Sequence, residues 1–203
     1  MKSIDNKIIA SIKKSGRGCV FFADRFARLG SAESIRKALS LLVREGTIVR
    51  VARGISCYPK VDNVLGLGVI YPTIDEIAQA IGKRDKARIV PTGVYALNLL
   101  GLSEQVPMNY VYLTDGGSRD IEVRNGRTIR FKHTAPKNLA FQNKLAMLVC
   151  FALREIGQAN ITEAQKKHIQ ELLRKEDKEK VLRDLPVMPI WVREIVMEAY
   201  DFE

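Results

Sequence analysis

The chain has 203 residues, a formal net charge of +10, a hydrophobic share of 46% and a charged share of 28%. No apolar run reaches the roughly 18 residues that a membrane span needs, and the first residues lack the apolar stretch of a secretory signal peptide. These features predict a cytoplasmic protein with no membrane partner, built from a small module and a medium-sized one.

The positive charge is concentrated at the beginning of the chain. Residues 1–60 contain 13 Lys and Arg against four Asp and Glu, a balance of +9, whereas residues 61–203 contain 20 against 19. A field of one sign confined to one module predicts a polyanionic partner for that module. Acidic lipid ranks below nucleic acid, because the basic residues follow a helix, helix and hairpin pattern rather than one long amphipathic helix.

Apolar periodicity and capping residues predict three helices and a hairpin in the first module: helices over 5–14, 23–29 and 32–45, and strands over 47–51 and 55–58. The segment Cys19–Phe22 is interpreted as the entry to the second helix. Ser31 is placed to cap the third helix, and Gly46 to end it. This order predicts a winged helix-turn-helix over residues 1–60.

The remainder of the chain is predicted to mix helices with strands and then to become helical. Residues 61–71, apolar and containing glycine, are interpreted as a connection. The predicted elements of residues 72–203 are helices over 73–82 and 93–100, strands over 87–90, 110–114, 121–124 and 128–132, and helices over 139–156, from 162 and from 189 to about 200. Thr73 with Glu76 and Thr162 with Gln165 form capping boxes, and Asn125-Gly126 is a hairpin turn. The predicted class is therefore α+β: a winged helix-turn-helix followed by an α+β domain that ends in several helices.

The outer face of the third helix is the predicted DNA-reading surface. With Ile35, Leu39 and Leu42 turned inward, the opposite face enters the major groove, where lysine and arginine donate to guanine O6 and N7. Arg50 and Arg53 lie in the hairpin, where they are expected to touch the DNA backbone or minor groove. The predicted DNA-binding residues are Ser34, Arg36, Lys37, Ser40, Arg44, Arg50 and Arg53. Contact with protein or RNA is the alternative use of such a module.

Catalytic and metal-binding motifs are not found in the sequence. There is no Ser/His/Asp set, no HExxH and no phosphate-binding glycine loop, and the three cysteines form no Cys-x-x-Cys pair. His133 and His168 are interpreted as structural or surface residues, and the polar loop Thr114–Arg119 as a turn rather than a phosphate site. The sequence thus predicts a protein that is not an enzyme and has neither cofactor nor metal.

Four stretches resemble one known family. They are the first-module ending Gly46-Thr47-Ile48-Val49-Arg50 with Arg53-Gly54-Ile55, Pro72 with Ile77-Ala78-Gln79-Ala80-Ile81, the segment Pro91-Thr92-Gly93-Val94-Tyr95-Ala96-Leu97-Asn98-Leu99-Leu100-Gly101-Leu102-Ser103, and the late Leu185-Pro186-Val187-Met188-Pro189-Ile190-Trp191-Val192. In these stretches the chain resembles the AbiEi-like antitoxins of type IV abortive-infection toxin–antitoxin systems. The resemblance implies a transcriptional autorepressor that binds inverted repeats of double-stranded DNA, with two copies on the operator. It also implies an antitoxin domain that counters a nucleotidyltransferase-like toxin without needing a stable complex.

Two other functions stay open. One is a stand-alone winged-helix regulator whose C-terminal domain dimerises or binds a small ligand, and the weaker one is an enzyme with a DNA-binding tail. A toxin gene of the nucleotidyltransferase type beside this one would favour the antitoxin.

Overall fold

The computed structural model of the protein describes residues 4–200 and has an α+β fold, as predicted. The chain packs as two compact units. The first unit extends to Arg84 and also contains Ile121–Arg127, and the second contains Asp85–Asp120 and the residues from Thr128 onward. These limits differ from the ranges 1–60, 61–71 and 72–203, which stay a prediction about functional parts of the chain.

Residues 4–85 form three α-helices, five short strands and a 3-10 helix. In chain order they are α1 (Ile4–Lys14), β1 (Val20–Phe22), the 3-10 helix Ala23–Leu29, α2 (Ala32–Arg44), β2 (Val49–Ala52), β3 (Ile55–Cys57), β4 (Lys60–Asp62), β5 (Gly68–Ile70) and α3 (Ile74–Asp85). Strands β1, β3 and β2 form an antiparallel sheet in that order. The predicted first and third helices and the predicted hairpin are confirmed.

One prediction for this region is wrong. The segment that was expected to enter a helix is strand β1, in which Val20 pairs with Cys57 and Phe22 with Ile55. Its partner strand lies more than thirty residues away, so local periodicity could not reveal it. Within residues 61–71, which stay predicted as a connection, the structure adds a feature that the sequence did not predict: β4 and β5 pair as an antiparallel hairpin. The tip of that hairpin exposes apolar side chains, with Val64 at 93% exposure.

Helix α2 begins and ends where its capping residues place it. The Ser31 Oγ atom accepts the Ser34 backbone N–H at 3.2 Å, which satisfies one of the free donors at the helix start. Glu33 in the first turn and Arg44 in the last complement the helix dipole. Gly46 follows with a φ of 71°, a left-handed conformation that a side chain would oppose.

One apolar cluster holds α1, α2 and the sheet of the first unit together. It joins Ile8 and Ile12 of α1 to Ile35, Ala38, Leu39 and Leu42 of α2, with Phe21, Phe26 and Ile48. The rings of Phe21 and Phe26 meet edge to face, with centroids 5.7 Å apart. The apolar strip of α2 is thereby buried against α1, and its polar face is left outside.

The later elements combine a four-stranded sheet with a set of helices. They are β6 (Ile89–Pro91), α4 (Gly93–Leu99), β7 (Asn109–Thr114), β8 (Arg119–Glu122), β9 (Thr128–His133), α5 (Lys144–Ile156), α6 (Glu163–Leu173), α7 (Lys178–Leu182) and α8 (Ile190–Glu198), with short 3-10 turns between them. The strand order is β6-β7-β9-β8. Strand β7 pairs antiparallel with β6 and parallel with β9, an arrangement that the sequence did not predict.

The long helix predicted from 139 begins later than expected. Pro136–Leu139 forms a 3-10 turn, and α5 starts at Lys144 because the Asn143 side chain caps it by accepting the Ala146 N–H at 2.9 Å. The buried Asp184 carboxylate accepts the backbone N–H groups of Gln142 and Asn143, which holds that start in place. Residues 174–183, which are rich in both charges, do not form one continuous helix, since Asp177 caps the short helix α7.

The capping-box predictions are confirmed. The Thr73 N–H donates to Glu76 Oε2 at 2.7 Å, and the Glu76 N–H donates to Thr73 Oγ1 at 3.2 Å. Thr162 and Gln165 exchange the same two bonds at the start of α6. Within residues 4–200, no helix is long and apolar enough to cross a membrane.

Burial makes two of the three thiols poor nucleophiles. It raises the pKa of Cys57 to about 12 and that of Cys150 to about 11. Since the thiolate is the reactive form, we expect iodoacetamide at pH 8 to leave both residues unmodified in the folded protein and to alkylate them after denaturation in guanidinium. Peptide mass spectrometry measures this. Rapid alkylation of Cys57 in the native protein would contradict the packing of β3.

Candidate nucleic-acid interface

The exposed face of α2 carries most of the predicted DNA-binding residues. Lys37, Ser40 and Arg44 are exposed and, with Glu33, lie on the side of the helix opposite the buried strip. Arg36 is also exposed and flanks that face. The predicted outer surface of this helix is therefore the surface that solvent reaches.

Lys37 and Arg36 make weak local contacts. Lys37 Nζ lies 2.8 Å from a carboxylate oxygen of Glu33, but both side chains are more than two-thirds exposed. Such a surface pair one helical turn apart contributes only about 0.3–0.5 kcal/mol. Arg36 Nε donates to the Ala32 carbonyl at 3.1 Å, which turns the guanidinium toward the helix start. A phosphate or a guanine edge can compete with contacts of this strength.

Ser34 is placed differently from the other predicted residues. Its Oγ atom donates to the Ser31 carbonyl and lies 2.9 Å from the Ser31 Oγ, and its N–H is the one that Ser31 caps. The side chain is half-buried. Ser34 therefore stabilises the start of α2 by contacts within the chain, and its predicted DNA contact stays a prediction.

The β2–β3 hairpin presents the two remaining predicted cations. Arg50 is exposed on β2, opposite Ser56, and Arg53 is exposed in the turn beside Gly54, whose φ is 76°. The register shifts between Arg50 and Ala52. Such a shift in an antiparallel pair increases the local twist of the strand. The hairpin thus carries one arginine on its strand and one at its tip.

Two further arginines of the first unit are engaged with the protein itself. Arg17 donates to the Pro59 carbonyl at 3.0 Å, and its guanidinium lies 5.0 Å from the centre of the Tyr58 ring. Arg25 donates to the Ser15 hydroxyl at 2.7 Å. Their charge adds to the field of the unit, but their side chains are held by these contacts. Lys13 and Lys14, by contrast, are exposed at the end of α1.

A family profile matches residues 7–181, and it describes a family of unknown function, DUF6088. The chain belongs to this family. Comparison with curated proteins finds no match.

Among solved structures, the DUF6088 chain is similar to the crystal structure of the RV2827C protein from Mycobacterium tuberculosis. The two share 14% sequence identity and a TM-score of 0.50. The match covers 99% of this chain and 77% of that one. At this identity the likeness concerns the fold alone.

The second unit of this DUF6088 protein contains a cleft of about 870 Å³. That volume lies within the range of small-molecule sites, roughly 300–1,000 Å³. Its lining is apolar at Val94, Val106, Met108, Val111, Leu113 and Phe151, and polar at Thr92, Gln105, Asn109, Lys132, Arg154 and Glu155. Two cations and one carboxylate favour a ligand with an anionic group. Periodicity gave no signal for this cleft, because its walls come from β7, β9, α4, α5 and the loop before β7.

The polar loop Thr114–Arg119 makes hydrogen bonds with neighbouring residues of the chain. Although burial opposes it, hydrogen bonds from the Arg88 backbone N–H and side chain hold the pKa of Asp115 below its usual value. Ser118 Oγ accepts the His133 N–H, and the His133 ring nitrogen Nδ1 lies 2.8 Å from the Gly116 carbonyl. The Nε2 atom of the other histidine, His168, lies 2.8 Å from the Leu100 carbonyl oxygen.

Across residues 4–200, no cluster of three or more His, Cys, Asp or Glu could hold a metal ion.

Proposed function

We propose that this protein is a DNA-binding transcriptional autorepressor and an antitoxin of a type IV, AbiE-like toxin–antitoxin system. The single observation that supports DNA binding most strongly is the exposed cationic face of α2, followed at once by a hairpin with two exposed arginines. Both belong to the segment that carries +9 of the net charge of +10. A polyanion that fits a protruding helix and a flanking hairpin is duplex DNA.

The element order supports a winged helix-turn-helix. Helix α1, strand β1, the 3-10 helix and α2 are followed by β2 and β3, and β1 pairs with β3 as the third strand of a small sheet. In such a module α2 is the recognition helix and the β2–β3 hairpin is the wing. We therefore assign base contacts to Lys37 and Arg36, supporting contacts to Ser40 and Arg44, and backbone or minor-groove contacts to Arg50 and Arg53.

The antitoxin part of the proposal rests on the AbiEi resemblance. The near-neutral balance of residues 61–203, 20 cations against 19 anions, suits a role other than nucleic-acid binding. The proposed partners are an operator with inverted repeats, a second copy of the chain on that DNA, and a nucleotidyltransferase-like toxin encoded by the adjacent gene. The proposed location is the cytoplasm.

DNA binding is tested with the full chain and a fluorescent duplex that spans the region upstream of its gene. Affinity should fall steeply with salt, with a slope of about −0.9 in log K against log salt for each phosphate neutralised. Lys37→Ala should reduce the preference for that duplex over a random one, whereas Arg53→Ala should weaken binding to both. Arg183→Ala removes one positive charge from an exposed site on the second unit. It should change neither the affinity for the two duplexes nor the preference between them. No binding in low salt would refute the proposal.

The antitoxin role is tested by co-expression with the protein of the adjacent gene, both from unrelated promoters, so that operon repression cannot contribute. The full chain should restore growth. A variant with both Lys37→Ala and Arg53→Ala should lose operator binding and restore growth equally, because neither residue belongs to residues 61–203. If the double variant loses protection together with DNA binding, a separate antitoxin domain is contradicted. If neither the wild-type chain nor the double variant restores growth, antitoxicity is excluded.

A second candidate function, a regulator with a small-molecule effector, is favoured by the cleft of the second unit. Screening carboxylates and phosphate esters by thermal shift should then identify compounds that raise the melting temperature of the native chain. Arg154→Ala and Lys132→Ala should abolish the shift, whereas Lys175→Ala, an exposed lysine that does not line the cleft, should preserve it. A shift that persists in both cleft variants, or no shift at all, would count against this function.

A further inference from the structure

A segment from the middle of the chain joins the first unit beside the β2–β3 hairpin. Residues Ile121–Arg127 group with the first unit by packing. Val123 forms an isolated antiparallel bridge with Ala52 on β2. Since the sheet order is β1-β3-β2, strand β2 is an edge strand, and the bridge lies on its outer side. The segment thus extends this small sheet beyond the hairpin predicted to touch DNA.

The segment turns sharply and exposes its tip. The Val123 N–H donates to the Arg127 carbonyl at 2.9 Å, which closes the turn. Asn125 and Gly126 both have left-handed backbone conformations, with φ of 63° and 67°. Asparagine and glycine are the residues that tolerate this conformation best. Arg124, Asn125 and Gly126 are all exposed as a result.

The side chain of Arg124 is held in one orientation by the ring of Tyr71. Its guanidinium carbon lies 4.4 Å from the centre of the Tyr71 ring, in a cation–π stack. The guanidinium is planar and has five N–H donors, so stacking one face on a ring leaves edge donors available to an anion. An arginine held in this way loses less conformational freedom on binding than a mobile lysine.

The bridge brings this arginine close to the cations of the β2–β3 hairpin. Ala52 lies between Arg50 and Arg53, and residues paired across antiparallel strands have Cα atoms about 4.5–5.5 Å apart. Arg124 is the next residue after the bridged Val123. Glu122 is the one acidic residue of the segment, against Arg124 and Arg127. The exposed arginines of two sequence-distant hairpins therefore lie on adjoining backbone.

We propose that the 121–127 hairpin is a second DNA-contacting element, in which Arg124 binds phosphate next to the contact made by Arg53. The inference rests on the proposed DNA-binding function and extends its surface to a part of the chain outside residues 1–60. We assign the contact to the DNA backbone, because the hairpin lies beside Arg50 and Arg53, to which backbone or minor-groove contacts are assigned, and not on α2, the proposed recognition helix. It adds affinity for any duplex rather than preference for one sequence.

The test uses the full chain, the upstream duplex and a random duplex of equal length. Arg124→Ala should weaken binding to both duplexes about tenfold at low salt, the effect expected from losing one charge-assisted hydrogen bond. It should also reduce the salt slope by about 0.9, the value for one phosphate. Arg124→Lys keeps the charge and should keep most of the slope. Arg183→Ala is the matched control and should leave affinity and slope unchanged.

Arg124→Ala also removes the stack on Tyr71, so a second variant separates binding from folding. Asn125→Asp keeps a residue type that tolerates the left-handed conformation and adds a negative charge at the exposed tip. It should weaken binding to both duplexes with the melting temperature unchanged. If the wild type binds and Arg53→Ala weakens it while Arg124→Ala and Asn125→Asp do not, this inference is overturned and the proposed function stands. If the wild type does not bind, both fail.

Discussion

The burial of one strip of α2 determines what the first unit can present to a partner. Ile35, Leu39 and Leu42 pack against α1, Phe21 and Phe26, and each such side chain stabilises the unit by about 1.5–3 kcal/mol. A rotation of α2 about its axis would expose this strip and bury charged residues, at a cost of several kcal/mol for each unpaired charge. The helix therefore has one acceptable orientation, and its cationic face is outside because the opposite face is apolar.

Elements defined by local chemistry could be predicted from the sequence. Ser31, Thr73 with Glu76, and Thr162 with Gln165 mark helix starts because a cap involves residues only three positions apart. Strand β1 could not be predicted, since its three residues are stable as a strand only beside β3, more than thirty positions later. The parallel pairing of β7 with β9 is non-local for the same reason, and the β4–β5 hairpin was hidden by its apolar, glycine-containing composition.

Some features of the candidate interface could be predicted from the sequence and others could not. Periodicity alone identified Lys37, Ser40 and Arg44 as outward-facing, because exposure on a helix follows from the position of its neighbours. It could not show that Ser34 is engaged by Ser31, which depends on rotamers at the cap. Nor could it show that Asn125-Gly126, identified correctly as a turn signal, brings its flanking arginines beside β2.

The bridge between Ala52 and Val123 joins residues that leave the ribosome at different times. Val123 is 71 positions after Ala52, and ribosomes add about 5–20 residues per second, so the outer edge of β2 waits on the order of 4–14 s for its partner. During that interval the nascent first unit has an unpaired strand edge, which is a template for association with other chains. Arg50 and Arg53 flank this edge, and charges at an edge strand oppose such pairing. The arginines proposed to bind DNA in the finished protein are therefore also charges that disfavour association along this edge while it is unpaired.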